Sequence, residues 1–234
     1  MTAASRRHLI ETAAALGIAT LATSAARAQT APVTRSATPY KVKPLPFDPQ
    51  RIAGLSERLL ISHYENNYGG AVKRLNAISE QIASLDPEKT PAFVVSGLKR
   101  EELIAYNSMV LHELYFAGLG EESRPGERLA AALERDFGSF ERWRAEFTAI
   151  GRALGGGSGW VLLTWSSRDN RLLNTWAADH TQTPAGGTAI LALDMYEHAY
   201  HMDYGAKAAD YVAAFLRAIR WANADALFAR GSRG

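Results

Sequence analysis

Near the C-terminus, the segment DMYEHAYH (194–201) places two carboxylates and two imidazoles within eight residues. Asp194 and His198 are four residues apart, so one helical or turn-like stretch directs both side chains the same way. A carboxylate and an imidazole at this spacing can bind one metal ion together. Glu197 and His201 place a second acid and a second imidazole beside them. The segment therefore predicts part of a metal site, completed by ligands from elsewhere in the chain.

Two further histidines lie alone on segments with a helical pattern, His63 in LISHYENNY and His112 in MVLHELYF. Taken singly, each favours a buried core histidine whose ring nitrogens bond to the backbone. Taken with Asp194 and His198, they complete a site of three imidazoles and one carboxylate, which suits a redox-active first-row metal. The chain has no cysteine, which excludes thiolate zinc sites and cysteine nucleophiles. It also has no H-E-x-x-H motif and no repeated E-x-x-H, which disfavours a zinc hydrolase and a di-iron bundle.

An α+β fold must position these residues. Hydrophobic spacing over 51–120 predicts an N-terminal antiparallel helix hairpin, whose first helix starts at Ser56 and whose second covers 99–117. Over 121–234 the pattern is mixed, with two short helices, a β-hairpin, a third apolar run and one terminal amphipathic helix, 208–230. The prediction is a helix hairpin followed by a mixed α/β domain with a three-stranded antiparallel sheet and helices.

The first fifty residues divide into an export signal and an extended leader. Segment 1–28 has a basic start with Arg6 and Arg7, a short apolar stretch and small residues before the end. This pattern predicts a twin-arginine signal peptide cleaved near Ala28, and hence a periplasmic protein. The alternative is an amphipathic helix or a membrane anchor, for which the apolar run is short. Residues 29–50 hold five prolines and no helical or strand period.

The formal charge of +2 comes from segment 1–28. That segment holds three of the 26 bases and one of the 24 acids, which leaves 23 of each in the mature chain (26 − 3 and 24 − 1). A neutral chain gives no electrostatic argument for a nucleic-acid partner. No other segment approaches the run of about 18 apolar residues that crosses a membrane. We therefore expect neither nucleic acid nor membrane as a partner of the mature form.

The motif DMYEHAYHMDY resembles the D-x-W-E-H-A-Y-Y-x-D-Y signature of the iron/manganese superoxide dismutases. Other segments agree in the same order: the HY after LSERLLIS, then LHELYFAGL, then FGSFERWRAEF with GSGWVLL. The likeness covers about residues 44–230. It implies disproportionation of superoxide to oxygen and hydrogen peroxide by one-electron cycling of a mononuclear ion, one per subunit. We expect iron, with manganese as the alternative, in a homodimer or a tetramer.

The resemblance assigns roles to the residues that match the family's motifs. It makes four residues the protein ligands of the metal: His63, His112, Asp194 and His198. Glu197 matches the glutamate that bonds a metal-binding histidine across the dimer interface, here His198 of the partner subunit. Trp160 matches the tryptophan that walls the site, and Tyr115 matches an aromatic beside it. Tyr196 stands where the family usually has tryptophan.

His180 lies in TWAADH, at the end of the second predicted strand. In the family, a glutamine bonded to the metal's solvent comes from this position or from the second helix, four residues before the ligand. The second of these positions is Ser108, whose side chain is too short to reach. The resemblance therefore implies that His180 bonds the solvent, as in a branch of the family that uses histidine. The alternative is a surface histidine at a strand end.

The chain departs from the family's pattern at the entrance to the site. Asn67 and Ala71 stand where the family usually has a histidine and a tyrosine, and His201 stands where it usually has a tyrosine. We hypothesise that His201 of one subunit bonds Asn67 of the other, the alternative being two unrelated solvent-facing substitutions. Asn66 and Ala208 replace basic residues of the funnel, which predicts weaker steering of an anion. The alternative function is a metal-binding homologue with little or no dismutase activity and a binding or scavenging role.

Overall fold

The computed structural model describes residues 38–232, and the predicted export signal, 1–28, lies outside them. The described part of the leader, 38–48, has neither helix nor strand and leads into a short 3-10 turn, Pro49–Arg51. Hydrogen bonds from its backbone N–H groups to side chains hold it against the helices that follow. Tyr40 N donates to Asn76 Oδ1 at 2.8 Å, and Lys43 N donates to the Tyr68 hydroxyl at 2.9 Å.

A helix hairpin forms the N-terminal part. Its elements are α1 (Glu57–Ser62), a π-helical turn (His63–Tyr68), α2 (Gly69–Ser84) and α3 (Ala92–Ala117). The helix starts where the sequence predicted, because the Ser56 hydroxyl accepts a hydrogen bond from Leu59 N at 3.1 Å. The second helix starts seven residues before the predicted 99, at Ala92, because the Pro91 carbonyl accepts from the next turn. Of the described helices, none is both long and apolar enough to cross a membrane.

The C-terminal part confirms the predicted α+β class. After α4 (Glu127–Phe137) and α5 (Phe140–Ala153) come β1 (Trp160–Ser166), β2 (Arg171–Ala177) and β3 (Gly187–Asp194). The three strands form an antiparallel sheet in the order β2-β1-β3. Every residue of β1 is buried, because helices cover this central strand. In the register of the sheet, Trp160 pairs with Asp194, so two residues singled out in the sequence meet at one edge.

The C-terminal segment 208–230 contradicts the prediction of one continuous helix. After α6 (His201–Tyr204) the structure has two helices, α7 (Ala208–Arg217) and α8 (Trp221–Gly231). At the break, the backbone pairs with the segment that follows α3. Gly120 N donates to Ala218 O at 2.9 Å, and Arg220 N donates to Gly118 O at 2.8 Å. These long-range bonds replace helical ones, while the hydrophobic period runs on through the break and hides it.

Candidate metal centre

Four residues from four separate elements meet between the hairpin and the sheet. His63 opens the π-helical turn, His112 lies in α3, Asp194 ends β3, and His198 lies in the 3-10 turn Glu197–Ala199. One ligand atom from each lies within 4.8 Å of the others. Ligand atoms that bind a common ion at about 2.0–2.2 Å lie no more than about 4.4 Å from one another, which is slightly less than this distance. The group is therefore the size that a single first-row ion needs.

Asp194 is the centre of the group, and its carboxylate is wholly buried. Its Oδ2 lies 3.1 Å from His63 Nε2, 3.5 Å from His112 Nε2 and 3.3 Å from His198 Nε2. Its Oδ1 accepts a hydrogen bond from Tyr196 N at 2.9 Å, which fixes the rotation of the carboxylate. Burial by itself raises the pKa of this carboxyl, but the side chains of His198 and His63 hold the pKa well below its usual range. Asp194 is therefore ionised.

The protonation of His112 shows that the site fits a cation. Its Nδ1 lies 2.6 Å from the Ser108 carbonyl, which can only accept, so Nδ1 carries the proton. Its Nε2 consequently presents a lone pair toward Asp194, is buried and has no hydrogen-bond partner among the described residues. Burial lowers the pKa of His112 to about 3, so the second nitrogen does not take up a proton near neutral pH. A positive ion satisfies two acceptors that face one another in this way.

His63 and Tyr115 form the inner wall of the site. The ring of His63 packs against Tyr115 and Phe116, with ring centroids 5.0 Å and 5.1 Å away, and burial lowers the pKa of His63. Tyr115 is fully buried, and its hydroxyl lies 3.4 Å from that of Tyr211, which in turn donates to the Asp194 carbonyl at 2.8 Å. Tyr115 therefore supports His63 from behind and does not line the cleft described below.

His180 lies beside the group and is held by two hydrogen bonds. Trp160 Nε1 donates to His180 Nδ1 at 3.0 Å, and Asn107 Nδ2 donates to the His180 carbonyl at 2.6 Å. Because Nδ1 accepts, the proton of the neutral imidazole is on Nε2. Burial lowers the pKa of His180, and the charge of Arg74 acts in the same direction. His180 is thus a neutral imidazole of fixed tautomer.

Tyr196 occupies the space between His180 and His198. Its ring stacks on both imidazoles, with centroids 4.8 Å from His180 and 5.3 Å from His198. Burial raises the pKa of Tyr196 to about 12, so the phenol keeps its proton. In place of the family's usual tryptophan, this tyrosine fills the gap between the sheet end and the last candidate ligand.

A cleft of about 320 Å³ leads from the surface to the group. Its inner end is formed by His112, His180 and His198. Its sides come from α3 and from the π-helical turn with α2, through these residues: Asn66, Asn67, Gly70, Ala71, Arg74, Ile104, Ala105 and Ser108. The entrance residues Asn67 and Ala71 therefore line the cleft, as the resemblance implied. Sequence reasoning missed Arg74, although its spacing from Asn67 and Ala71 puts it on the same helix face.

Glu197 and His201 lie outside the cleft. Both are exposed, and neither side chain makes a hydrogen bond or salt bridge within residues 38–232. They are four residues apart, next to Met202, which is 44% exposed. Within the described residues of one chain, no hydrogen bond joins His201 to Asn67.

Sequence comparison decides the family. A profile described as iron/manganese superoxide dismutases, C-terminal domain, matches residues 125–227. The superoxide dismutase [Fe] of Cupriavidus metallidurans is 63% identical over 194 residues, which cover 83% of this chain and 98% of that protein. The chain belongs to the iron/manganese superoxide dismutase family. In this family, relatives whose names specify manganese are also similar to this chain.

Among relatives with lower identity to this chain, some are named as manganese enzymes and others as iron enzymes. The superoxide dismutase [Mn] 2 of Haloferax volcanii is 33% identical over 186 residues, covering 78% of this chain and 92% of that protein. The superoxide dismutase [Fe] of Aquifex aeolicus is 32% identical over 191 residues, covering 78% and 88%. Family membership alone therefore does not distinguish iron from manganese, and the donor set of three imidazoles and one carboxylate suits either metal.

Proposed function

We propose that this protein is an iron superoxide dismutase, converting two superoxide anions and two protons to oxygen and hydrogen peroxide. The observation that carries the proposal is the convergence of three histidine Nε2 atoms on Asp194 Oδ2 at the inner end of a cleft, which two of these histidines, His112 and His198, line. Iron is preferred to manganese because the relative that is 63% identical is named an iron enzyme. One ion per chain is expected, held by the four residues of the candidate metal centre.

An iron ion held by His63, His112, Asp194 and His198 would supply one-electron chemistry between its 3+ and 2+ states. The chain sets its charge environment. His63 and His112 stay neutral because burial lowers their pKa, and Asp194 contributes one negative charge. The hydrogen bond from Tyr196 N to Asp194 Oδ1 and that from His112 Nδ1 to the Ser108 carbonyl hold these two donor groups in the orientation in which they would bind the ion.

His180 holds a proton at Nε2 at the inner end of the cleft. Trp160 fixes that tautomer through its hydrogen bond to Nδ1, and Tyr196 stacks on the ring to fix its plane. A donor N–H at this position bonds an oxygen species that enters the cleft and favours the form with more negative charge. We assign to His180 the hydrogen bond to the anionic substrate or solvent, and to Trp160 the positioning of His180.

A second candidate function is supported by the entrance residues. Among the described residues that line the cleft, only Ser108 has a hydroxyl group. Position 71, where the family usually has a tyrosine, is an alanine. The amides of Asn66 and Asn67 and the guanidinium of Arg74 do not release protons near neutral pH, so few lining groups can relay a proton to the site. The second candidate is a metal-binding homologue with little or no dismutase activity and a binding or scavenging role.

Metal analysis combined with a superoxide assay separates the two functions. Purified protein is loaded with iron or manganese, its metal content is measured, and superoxide decay is followed for each form. We expect one ion per chain and activity in the iron form. Asp194→Asn is expected to lose both, whereas Asp210→Asn, which removes the same charge from an exposed position, keeps both. One ion per chain without superoxide decay in either form supports the scavenging role.

We propose that the protein assembles as a homodimer through the surface that contains Glu197 and His201. Glu197 is exposed and has no described partner, and it precedes His198, whose side chain is 27% exposed. In the dimer, Glu197 of one subunit bonds His198 of the partner subunit, which orients that ring and raises its basicity. His201 bonds Asn67 of the partner subunit at the edge of the cleft.

The oligomeric state is tested by light scattering during size-exclusion chromatography. Wild-type protein is expected at twice the chain mass, and Glu197→Gln, which keeps the shape and removes the charge, at one chain mass when diluted. Glu113→Gln is the control, because Glu113 bonds Tyr68 and Lys43 within the chain. A double-mutant cycle between His201→Ala and Asn67→Ala measures the second contact, and independent effects would refute it.

We propose further that the protein is exported to the periplasm through a twin-arginine signal in residues 1–28. The Arg6-Arg7 pair, the weakly apolar stretch and the Ala26-Arg27-Ala28 segment support this. Expression of the full chain, with fractionation and N-terminal sequencing, tests it. We expect the mature form to start near Gln29, and Arg6→Lys with Arg7→Lys to block processing. An unprocessed chain with wild-type arginines refutes export.

A further inference from the structure

The cleft that leads to the candidate metal centre has a one-sided charge. Of the described residues that line it, Arg74 is the single formal cation, and none is a carboxylate. The other polar groups are neutral, among them the amides of Asn66 and Asn67 and the hydroxyl of Ser108. A concave surface with this lining attracts anions through Arg74, and the carboxylate of Glu101, which pairs with that guanidinium from outside the lining, weakens the field.

Arg74 lies on the face of α2 that points into the cleft. It follows Asn67 by seven residues and Gly70 by four, so all three lie along one stripe of the helix surface. The lining of the cleft contains all three. Apart from its chain neighbours and the backbone of its own helix, no heavy atom lies within 4 Å of the position that a Cβ on Gly70 would occupy. Gly70 therefore adds no side chain to the wall of the cleft near Arg74.

A salt bridge fixes the position of Arg74. Its Nη2 donates to Glu101 Oε2, which joins α2 to α3 across the cleft's edge. The Arg74 side chain stays 56% exposed, and that of Glu101 is 34% exposed. A guanidinium has five N–H donors, so donors remain for an incoming anion after the salt bridge has formed. Glu101 itself does not line the cleft.

We propose that Arg74 draws small anions into the cleft and sets the rate at which they reach the candidate metal centre. For superoxide, this role rests on the proposed dismutase function. The attraction acts on the anion both as it approaches and after it is bound, so it raises the association rate and the affinity, and salt weakens both effects. Gly70 contributes by adding no side chain to the wall of the cleft near Arg74. Glu101 opposes the attraction, because its negative charge lies beside the guanidinium.

Two measurements test this role on the iron-loaded protein. The first is kcat/KM for superoxide as a function of ionic strength. The second is the dissociation constant of azide, read from the optical spectrum of the oxidised protein, which requires no turnover. Arg74→Gln is expected to lower kcat/KM and to weaken azide binding, each about two- to fivefold at low salt, with the difference shrinking toward 1 M salt. Glu101→Gln is expected to change both in the opposite direction.

Lys73→Gln is the matched control, because it removes one positive charge from the next residue of α2 and Lys73 does not line the cleft. Arg74→Lys keeps the charge and is expected to stay within twofold of wild type. The role is refuted if Arg74→Gln and Lys73→Gln have equal effects, or if azide affinity is unchanged in Arg74→Gln. Azide binding that depends on Arg74 in a protein without dismutase activity supports the role of Arg74 and refutes the proposed function.

Discussion

Replacing Trp160 by phenylalanine tests how the site holds its proton donor. Trp160 is wholly buried, and its indole N–H donates to His180 Nδ1 at 3.0 Å. Phenylalanine keeps an aromatic ring and removes this donor. His180 is then free to carry its proton on Nδ1, so the donor that Nε2–H presents at the inner end of the cleft is no longer fixed.

The magnitude follows from the one hydrogen bond that is lost. A neutral hydrogen bond contributes about 0.5–1.5 kcal/mol. For a one-electron couple, a tenfold change in equilibrium corresponds to about 59 mV, so the same free energy is worth about 20–65 mV. We therefore expect Trp160→Phe to shift the midpoint potential of the iron-loaded protein by this amount while leaving one iron per chain. A fall in Tm of a few degrees is also expected, because a buried acceptor loses its partner.

A spectroelectrochemical titration measures the potential, and Trp143→Phe is the control. Trp143 is equally buried, packs among Phe140, Phe147 and Trp221, and its indole nitrogen has no hydrogen-bond partner among the described residues. Trp143→Phe removes the same volume and no hydrogen bond, so its potential should match wild type. If Trp160→Phe stays within about 10 mV of wild type, or if both variants shift equally, the role given to Trp160 is wrong.

Three further predictions concern the hydrogen bond from Asn107 to His180, the stability of the metal-free protein in acid, and the start of α1. Asn107→Ala removes the amide that holds the His180 carbonyl at 2.6 Å, and we expect activity to fall up to about tenfold at unchanged iron content in a superoxide assay. Burial lowers the pKa of His63 and His112, so below pH 6.5 the unfolded chain binds protons that the folded chain does not. The free energy of unfolding of the metal-free protein, measured by urea titration, should therefore be highest above pH 6.5 and fall toward pH 5, by up to about 1.4 kcal/mol per pH unit for each histidine. Ser56→Ala removes the cap of α1 and is expected to cost about 1 kcal/mol and to lower Tm by about 2–4 °C in calorimetry.

The elements of the fold were predictable where a local signal marks them. Ser56 marks a helix start, and the apolar run before Asp194 marks a strand end, and the structure has both. The break between α7 and α8 was not predictable, because it depends on backbone bonds from Gly118 and Gly120, about a hundred residues away in the chain. Local periodicity carries no information on such pairing.

The candidate site was predictable from residue types, but its contacts were not. The spacing of Asp194 and His198 indicated one pair, and the residue types grouped His63 and His112 with it. In the structure the ligand atoms of all four lie within 4.8 Å of one another. The hydrogen bonds that fix tautomers, such as those from Trp160 and to Ser108, depend on side-chain placement across elements. The spacing of Arg74 from Asn67 and Ala71 places all three on one helix face. The sequence does not show that this face lines a cleft, which is seen only in the structure.

The most direct test of the central claim is an anomalous difference map at the iron absorption edge, from crystals of protein purified with its native metal. We expect one peak per chain, about 2.0–2.2 Å from one atom each of His63, His112, Asp194 and His198. A map without a peak among these four side chains, or with a peak that one of them does not reach, would contradict it.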